Sequence, residues 1–249
     1  MIKSVTFKED YELSLEKETQ KRFPTRRVVP GKYDREKKPY HLFNLFPKGL
    51  SINFKEGVNV IVGENGSGKT TLFSLIKNFA GSGYDSMYSI TGSYSDEEDY
   101  FSRYQESYNG PLEVSGVINY RNSVFFNAEE DNPVVALPKL INPMDRENFV
   151  NMSANLFFAQ EESHGESMIP ILDYLLDNAQ GAVLFFDEPE TALSLKNQIR
   201  LAEKFKESGK VNQIIISTHS LGIINQFDYI YDMETRKWVE RNKYIDEIC

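Results

Sequence analysis

Eight consecutive residues, GENGSGKT from Gly63 to Thr70, match the phosphate-binding pattern G-x-x-x-x-G-K-[ST]. Glycines let such a loop curl so that its backbone N–H groups point at phosphate oxygens beside a helix N-terminus. Lys69 would then reach the β- and γ-phosphates, and the Thr70 hydroxyl would ligate Mg²⁺. The predicted nucleotide-binding residues are Gly63, Glu64, Asn65, Gly66, Ser67, Gly68, Lys69, Thr70 and Thr71.

Two carboxylates, Asp187 and Glu188, directly follow the apolar run AVLFF. A buried strand that ends in carboxylates places them at the carboxyl edge of the sheet, where open α/β sheets bind ligands. Asp187 is predicted to hold the metal ion, and Glu188 to act as general base for an attacking water. The alternative is a pair of solvated acids that cap the next helix together with Glu190, but the phosphate loop upstream favours the catalytic interpretation.

Two further polar segments follow the same logic. His219 comes two residues after the predicted buried strand Gln213–Ser217 and is predicted to contact a γ-phosphate or to orient water, although a lone histidine is more often structural. The segment Ser163, His164, Gly165, Glu166 leads into a predicted helix, where free N–H groups form an anion site. On local evidence alone, a plain N-cap by Ser163, with Glu166 completing a capping box, is the favoured interpretation of that segment.

The elements that must position these residues alternate between strands and helices. Strands are predicted at 1–8, 50–54, 58–62, 113–120, 123–126, 182–186 and 213–217, with edge strands at 229–233 and 238–241; helices are predicted at 70–79, around 146–158, at 168–176 and at 195–205. Buried strands separated by helices favour an α/β fold with a largely parallel central sheet. We expect one domain over 1–249, with an acidic Ser/Tyr-rich insertion at about 84–111.

Charge is distributed unevenly along the chain. The 249 residues carry 28 lysines and arginines against 37 acidic residues, a net charge of −9, whereas Lys17–Lys38 has a net charge of +6. A solvated surface loop is the simpler interpretation of that basic segment, and contact with DNA is the alternative. The single cysteine, Cys249, and the absence of a signal sequence or an apolar span predict a cytoplasmic protein without membrane insertion.

In their order along the chain, the four polar segments resemble the motifs of the ABC-type ATPase superfamily. Ser163–Glu166 is similar to the signature motif, and Thr191, Ala192, Leu193 and Ser194 are similar to the D-loop. The details resemble the SMC/Rad50/RecF/OLD-like branch, including small bacterial and phage AAA family ATPases. Fewer than 100 residues separate Thr70 from Ser163, which leaves no room for a long coiled coil.

The resemblance implies a P-loop NTPase fold: a mainly parallel sheet flanked by helices, an antiparallel β portion and a small helical signature subdomain. It also implies ATP and Mg²⁺ as ligands, and slow hydrolysis in a head-to-tail homodimer whose signature residues act in trans. The chain departs from the family pattern at Asn127, which stands where a Q-loop glutamine is expected. Tyr40, Phe43 and Phe46 are the candidates for stacking on adenine.

Three functions fit this pattern. The favoured one is an ATP-driven switch in DNA repair, genome maintenance or phage defence that works with a partner protein, with Lys17–Lys38 as the DNA-facing candidate. The first alternative is the ATP-binding subunit of a membrane transporter, which Asn127 disfavours. The second is a nucleotide-gated binding module with negligible turnover, which the presence of both Asp187 and Glu188 disfavours.

Overall fold

A computed structural model describes residues 1–9, 45–81, 112–118, 123–128 and 164–248. Three features predicted from the sequence lie outside these ranges: the basic segment Lys17–Lys38, the acidic insertion at about 84–111, and the helix around 146–158. Most of the segments that carry the predicted chemistry lie inside them.

The larger of two sheets has six strands in the order β5-β6-β7-β3-β8-β9. All neighbouring pairs are parallel except β8 and β9. The strands are β3 (Val58–Val62), β5 (Ser123–Asn127), β6 (Val183–Asp187), β7 (Gln213–Ser217), β8 (Tyr229–Asp232) and β9 (Lys237–Glu240). The predicted largely parallel α/β sheet is therefore confirmed, but the prediction that 229–233 forms an edge strand is wrong, because β8 pairs with both β3 and β9.

The central strands are buried along nearly their whole length, and most of their residues are apolar, because the sheet is covered on both faces. Successive residues of β6 enter different cores: Phe185 packs with residues of the helix after the phosphate loop, whereas Phe186 packs with the helices on the other face. Ile215 and Ile216 alternate in the same way on β7. A strand buried on both faces reads as a continuous apolar run, which is the pattern that the sequence shows.

The helices are α1 (Lys69–Gly81), α2 (His164–Asn178), α3 (Leu195–Ser208), α4 (Leu221–Ile224) and α5 (Arg241–Ile248). The predicted spans 70–79, 168–176 and 195–205 lie within α1, α2 and α3. Helix α3 begins after Ser194, whose side chain accepts a hydrogen bond from Asn197 N, and it buries Leu201 and Phe205 against the sheet. None of the helices in the described ranges combines the length and the apolar character that a bilayer crossing requires.

A second, antiparallel sheet has the order β2-β1-β4, with β1 (Ile2–Phe7), β2 (Ser51–Asn53) and β4 (Leu112–Gly116). It is the antiparallel β portion that the resemblance implied. Gln213 joins the two sheets, because its amide donates to Ile2 O at 2.8 Å and accepts from Ile2 N at 2.7 Å. This pair of bonds fixes the small sheet against the start of β7, at the edge away from the phosphate loop.

Candidate nucleotide-binding and hydrolysis site

The phosphate loop joins β3 to α1, and two of its glycines have conformations that other residues rarely adopt. Gly68 has φ +99°, and a Cβ there would lie 3.0 Å from Phe46 Cζ. Gly63 has φ +155°, and a Cβ there would lie 2.7 Å from Ser67 Oγ. The glycines therefore make a tight loop, as a cradle of backbone N–H groups requires. Ser67 Oγ is buried and has no hydrogen-bond partner among the described residues, so it is an additional donor facing into this loop.

Lys69 is a buried cation at the start of α1, with only 4% of its side chain exposed. Its Nζ donates hydrogen bonds to Gly63 O at 2.8 Å and Glu64 O at 3.2 Å, both carbonyls of the loop. Nζ also lies 3.7 Å from Glu188 Oε1. The ammonium group is thus held between the phosphate loop and the predicted base.

Asp187 ends β6 and is held from both sides. Ser217, at the end of the neighbouring β7, donates its hydroxyl to Oδ1, while Asn127, at the end of β5, donates its amide to Oδ2 at 3.1 Å. Burial raises the pKa of Asp187, whereas hydrogen bonds from the Ser217 and Thr70 hydroxyls lower it. The structure therefore brings Asp187 and Thr70, the two predicted metal ligands, into contact.

Glu188 follows with an unusual backbone conformation, φ +48°. Its N–H donates to Ser217 O at 3.0 Å, and its carbonyl accepts from the Thr191 N–H at 3.1 Å and the Thr191 hydroxyl at 2.9 Å. Strained residues of this kind persist only where their surroundings hold them, and they cluster at functional sites. The bonds turn Glu188 away from the course of β6, and its carboxylate lies beside Lys69 and His219.

His219 lies in the loop after β7, and its imidazole is 53% exposed. Its Nδ1 is 3.5 Å from Glu188 Oε1 and 3.8 Å from Glu190 Oε1. Strand β7 lies between β6 and β3, so three loops that are distant in sequence meet at one edge of the sheet. Lys69, Glu188 and His219 form a continuous polar group at that edge.

Glu190 lies in the interior, which excludes the alternative interpretation of the sequence. That alternative groups it with solvated acids that cap the next helix, but it is only 4% exposed, and Ser194 caps α3 instead. Its Oε1 accepts hydrogen bonds from the Thr218 hydroxyl and from His219 N. Burial raises the pKa of Glu190, while the hydrogen bond from Thr218 lowers it. An acidic residue is exposed by default, so the only sequence signal for this burial is its place in the turn after a buried strand.

Within the predicted D-loop the four residues differ. Ala192 is exposed and has φ +64°, whereas Leu193 is buried in the core and packs rather than facing outward. The Thr191 and Ser194 side chains make local hydrogen bonds, to Glu188 O and from Asn197 N respectively. Only Ala192 and Ser194 of this loop are exposed.

The predicted signature segment lies at the start of α2, which begins at His164. Gly165 and Glu166 are helical, in agreement with the expectation that the segment leads into a helix. The side chains of 164–167, and the whole of Ser163, lie outside the described residues, so the role of this segment stays a prediction.

The structure excludes one of the three aromatic candidates for stacking on adenine. Phe46 is 2% exposed and stacks on Phe7 in the core, with ring centroids 4.4 Å apart and planes inclined by 5°. It is therefore not accessible to a base, so Phe46 is excluded as a candidate for stacking on adenine. Tyr40 and Phe43 lie outside the described residues.

The donor set fits a nucleoside triphosphate with Mg²⁺. Backbone N–H groups, a serine hydroxyl such as that of Ser67 and a lysine ammonium such as that of Lys69 are donors that suit phosphate oxygens, and one carboxylate with one hydroxyl is typical of sites where Mg²⁺ takes its remaining ligands from phosphate and water. Within the described ranges no group of three or more His, Cys, Asp and Glu residues could hold a metal ion alone. The chemistry that these residues support is hydrolysis of a phosphoanhydride.

Comparison with known proteins bears on the family and the fold of the chain. A profile of the family described as AAA domain matches residues 40–245. An ATP-bound bacterial Atm1-family ABC exporter is similar in structure, with 16% identity, a TM-score of 0.54, and coverage of 99% of this chain and 40% of the exporter chain. A nucleotide-free ATP-binding cassette of an ABC transporter has 15% identity, a TM-score of 0.51, and coverage of 100% and 95%.

The SMC head domain from Thermotoga maritima has 16% identity, a TM-score of 0.47, and coverage of 93% and 94%. No curated protein sequence matches the chain. The two cassettes with the higher TM-scores show the fold, so the predicted ABC-type ATPase fold is confirmed.

Proposed function

The chain belongs to the AAA domain family, and from this premise we propose that it binds ATP with Mg²⁺ and hydrolyses it. The observation that carries the proposal is the position of Glu188, whose Oε1 lies 3.7 Å from Lys69 Nζ and 3.5 Å from His219 Nδ1. A carboxylate that lies between a phosphate-loop lysine and a histidine at the carboxyl edge of a parallel sheet is suited to activate water next to a phosphate.

The phosphate loop and Lys69 bind the substrate. Lys69 Nζ now donates to two loop carbonyls, and its third hydrogen-bonding position remains for a phosphate oxygen. A buried ammonium stabilises the charge on the β- and γ-phosphates more strongly than an exposed one, because solvent screens it less. Thr70 and Asp187 would hold Mg²⁺, which neutralises charge on the phosphates when it is bound.

Hydrolysis requires a base, and Glu188 is placed for it. Its carboxylate takes a proton from the water that attacks the γ-phosphorus, while the bond from that phosphorus to the β,γ-bridging oxygen breaks and ADP leaves. His219 lies beside the carboxylate and orients the water or the γ-phosphate. Asp187 is assigned to the metal ion rather than to the water, because Asn127 and Ser217 orient its two oxygens and Thr70, the other proposed metal ligand, donates a hydrogen bond to it.

Dimerisation is the second part of the proposal. Two copies bind head to tail, and Ser163, His164, Gly165 and Glu166 of one copy complete the phosphate site of the other. The exposed side chains of Leu195 and Leu221 support a contact surface here, because both are large and apolar, and Leu195 lies against Gly222, the residue after Leu221. ATP then joins the two copies, and hydrolysis releases them.

The work of this cycle is proposed to be that of an SMC/Rad50-like switch acting in DNA repair, genome maintenance or phage defence with a partner protein. The motif order of the sequence and the basic segment Lys17–Lys38 support this assignment. A transporter subunit uses the same fold and would be distinguished by its partner: purification of ATP-trapped Glu188→Gln protein would yield a membrane permease rather than a DNA-processing protein.

Phosphate release from MgATP tests the activity itself. We expect slow turnover by the wild type and a decrease of at least about 100-fold in Glu188→Gln, since a positioned base contributes roughly 10²–10⁴-fold. Glu203→Gln, an exposed substitution on α3, is the matched control and should behave as the wild type. Equal turnover in Glu188→Gln and Glu203→Gln would contradict the assignment of the base.

A further inference from the structure

Glu190 is a buried carboxylate that the reaction described above does not use. It is 4% exposed, and it lies in the turn after β6, two residues beyond Glu188. Its Oε1 accepts from the Thr218 hydroxyl and from His219 N at 3.1 Å, so one oxygen joins this turn to the loop that carries His219. Its Oε2 is buried without a hydrogen-bond partner among the described residues.

The loop from Thr218 to Ser220 depends on this carboxylate for its course. Thr218 N donates to Ile61 O at 3.0 Å, which fixes the beginning of the loop to β3. The Thr218 hydroxyl donates to Glu190 and accepts from Ser220 N at 3.0 Å. It therefore connects the carboxylate to the backbone on the far side of His219. The imidazole of His219 is half exposed, and its position is therefore set by its backbone more than by packing.

We propose that Glu190 is a positioning residue for ATP hydrolysis, which acts by holding the His219 backbone so that the imidazole stays beside Glu188. The inference rests on the proposed function, because it assigns Glu190 a role in that same reaction. Burial makes the link rigid: a hydrogen bond inside a protein is less exposed to competition from water than one at the surface. The carboxylates of Glu188 and Glu190 both lie near Nδ1, which favours a hydrogen on that nitrogen.

A double-mutant cycle separates this role from a purely structural link. Glu190→Ala removes both acceptor contacts, and we expect kcat to fall by about tenfold or more while KM for ATP changes less than about twofold. In a His219→Ala background the same substitution should change kcat by less than about twofold, because a residue that acts through His219 has nothing left to position. An equal fold decrease in both backgrounds would overturn the proposal.

Two further variants control for folding. Glu190→Gln keeps an acceptor oxygen and should recover most of the turnover that Glu190→Ala lacks. Asn212→Ala removes another fully buried polar side chain, which bonds to Ala179 O and Ser208 Oγ before β7, and should lower Tm without a selective decrease in kcat. If Glu190→Ala does not fold, Thr218→Val takes its place in the cycle, and an additive effect with His219→Ala overturns the proposal equally.

The same measurements distinguish the inference from the function on which it rests. A wild-type protein that does not turn over MgATP refutes the proposed function and the inference with it. A wild type that hydrolyses ATP, with Glu190 and His219 contributing independently, refutes the inference alone.

Discussion

Asn127 and Asp187 are directly opposite each other in neighbouring parallel strands, and the Asn127 amide donates to Asp187 Oδ2 at 3.1 Å. Ser217 occupies the same level on the other side and donates to Oδ1. Both oxygens of the predicted metal ligand are thereby oriented by their strand neighbours. Partners of this kind commonly tune metal affinity, because they fix the direction in which the ligand's lone pairs point.

The first prediction concerns Mg²⁺. Asn127→Ala should raise the Mg²⁺ concentration required for half-maximal ATP turnover by about tenfold, the lower end of what removal of such a partner costs. A titration of turnover against Mg²⁺ at saturating ATP measures this effect. Asn225→Ala, at an exposed position after α4, should leave the titration unchanged, and the same curve for both variants would contradict the role given to Asn127.

The second prediction concerns Lys69. Lys69→Ala removes the buried cation of the phosphate loop, and ATP affinity measured by calorimetry should fall by roughly 10- to 100-fold, as expected when a hydrogen bond from a charged group is removed. Lys196→Ala changes an exposed lysine at the start of α3 and is the control. Unchanged ATP affinity in folded Lys69→Ala would refute the phosphate-loop assignment.

The sequence predicted those parts of the site that depend on local pattern. The apolar runs of β3, β6 and β7, each followed by polar residues, predict buried parallel strands whose functional residues meet at one edge. The neighbours of each strand depend on tertiary structure, so the pairing of Asn127 with Asp187 had no local signal. Phe46 illustrates the same limit: a short aromatic segment before the phosphate loop suggests stacking on a base, but the ring packs on Phe7 instead.

Burial of polar residues was the other part that the sequence did not predict. Glu190 contacts a backbone N–H 29 residues further along the chain, a distance at which no periodicity carries information. Charged residues are placed at the surface unless a partner is known, and the partner is known only once β6 and β7 are seen to be neighbours. The left-handed backbone conformation of Glu188 could not be predicted from the sequence either, because contacts with Ser217 and Thr191 hold it.

The third prediction concerns dimerisation. Glu188→Gln should retain ATP affinity but hydrolyse ATP at least about 100-fold more slowly than the wild type. With saturating MgATP the protein should therefore elute as a dimer in size-exclusion chromatography with light scattering. The reason is that a triphosphate bound by groups from both copies holds the copies together until its γ-phosphate is cleaved. Glu203→Gln should form this dimer only transiently, and a Glu188→Gln protein that stays monomeric would contradict the dimer mechanism.

Mixing two inactive variants tests the head-to-tail arrangement. Lys69→Ala has a defective phosphate loop, and Ser163→Arg has a defective signature segment. In a mixed dimer the intact phosphate loop of one copy meets the intact signature of the other, so the mixture should regain turnover that neither variant has alone. Absence of any recovery, with mixed dimers present, would show that the signature segment does not act in trans.

The fourth prediction concerns the basic segment. Replacing three arginines of Lys17–Lys38 by alanine should weaken DNA binding and reduce the slope of log K against log salt by about one for each DNA phosphate that the variant no longer neutralises. The arginines are Arg22, Arg26 and Arg27. Fluorescence anisotropy with labelled duplex at several salt concentrations measures both quantities.

The control for DNA binding removes the same number of charges elsewhere. The replaced residues are the exposed Lys196, Lys237 and Lys243. If both triple variants bind DNA equally, the binding is not made by the basic segment, and if the wild type binds none at low salt, the DNA hypothesis is wrong.

The last prediction is the pH dependence of stability at Glu190. Its pKa is raised in the folded protein by burial, so above pH 4.5, the ordinary value, the folded state binds more protons than the unfolded state. The free energy of unfolding must then fall as pH rises from about 4.5 to the pKa of Glu190 in the folded protein. Above that pKa the loss of stability caused by ionising the buried carboxyl no longer changes with pH.

Glu190→Gln keeps an acceptor and cannot ionise, so its Tm should exceed that of the wild type by an amount that grows through this pH range. Melts at several pH values measure the difference, with Glu203→Gln as the exposed control; a constant difference between Glu190→Gln and the wild type would mean that burial imposes no ionisation cost on this carboxyl.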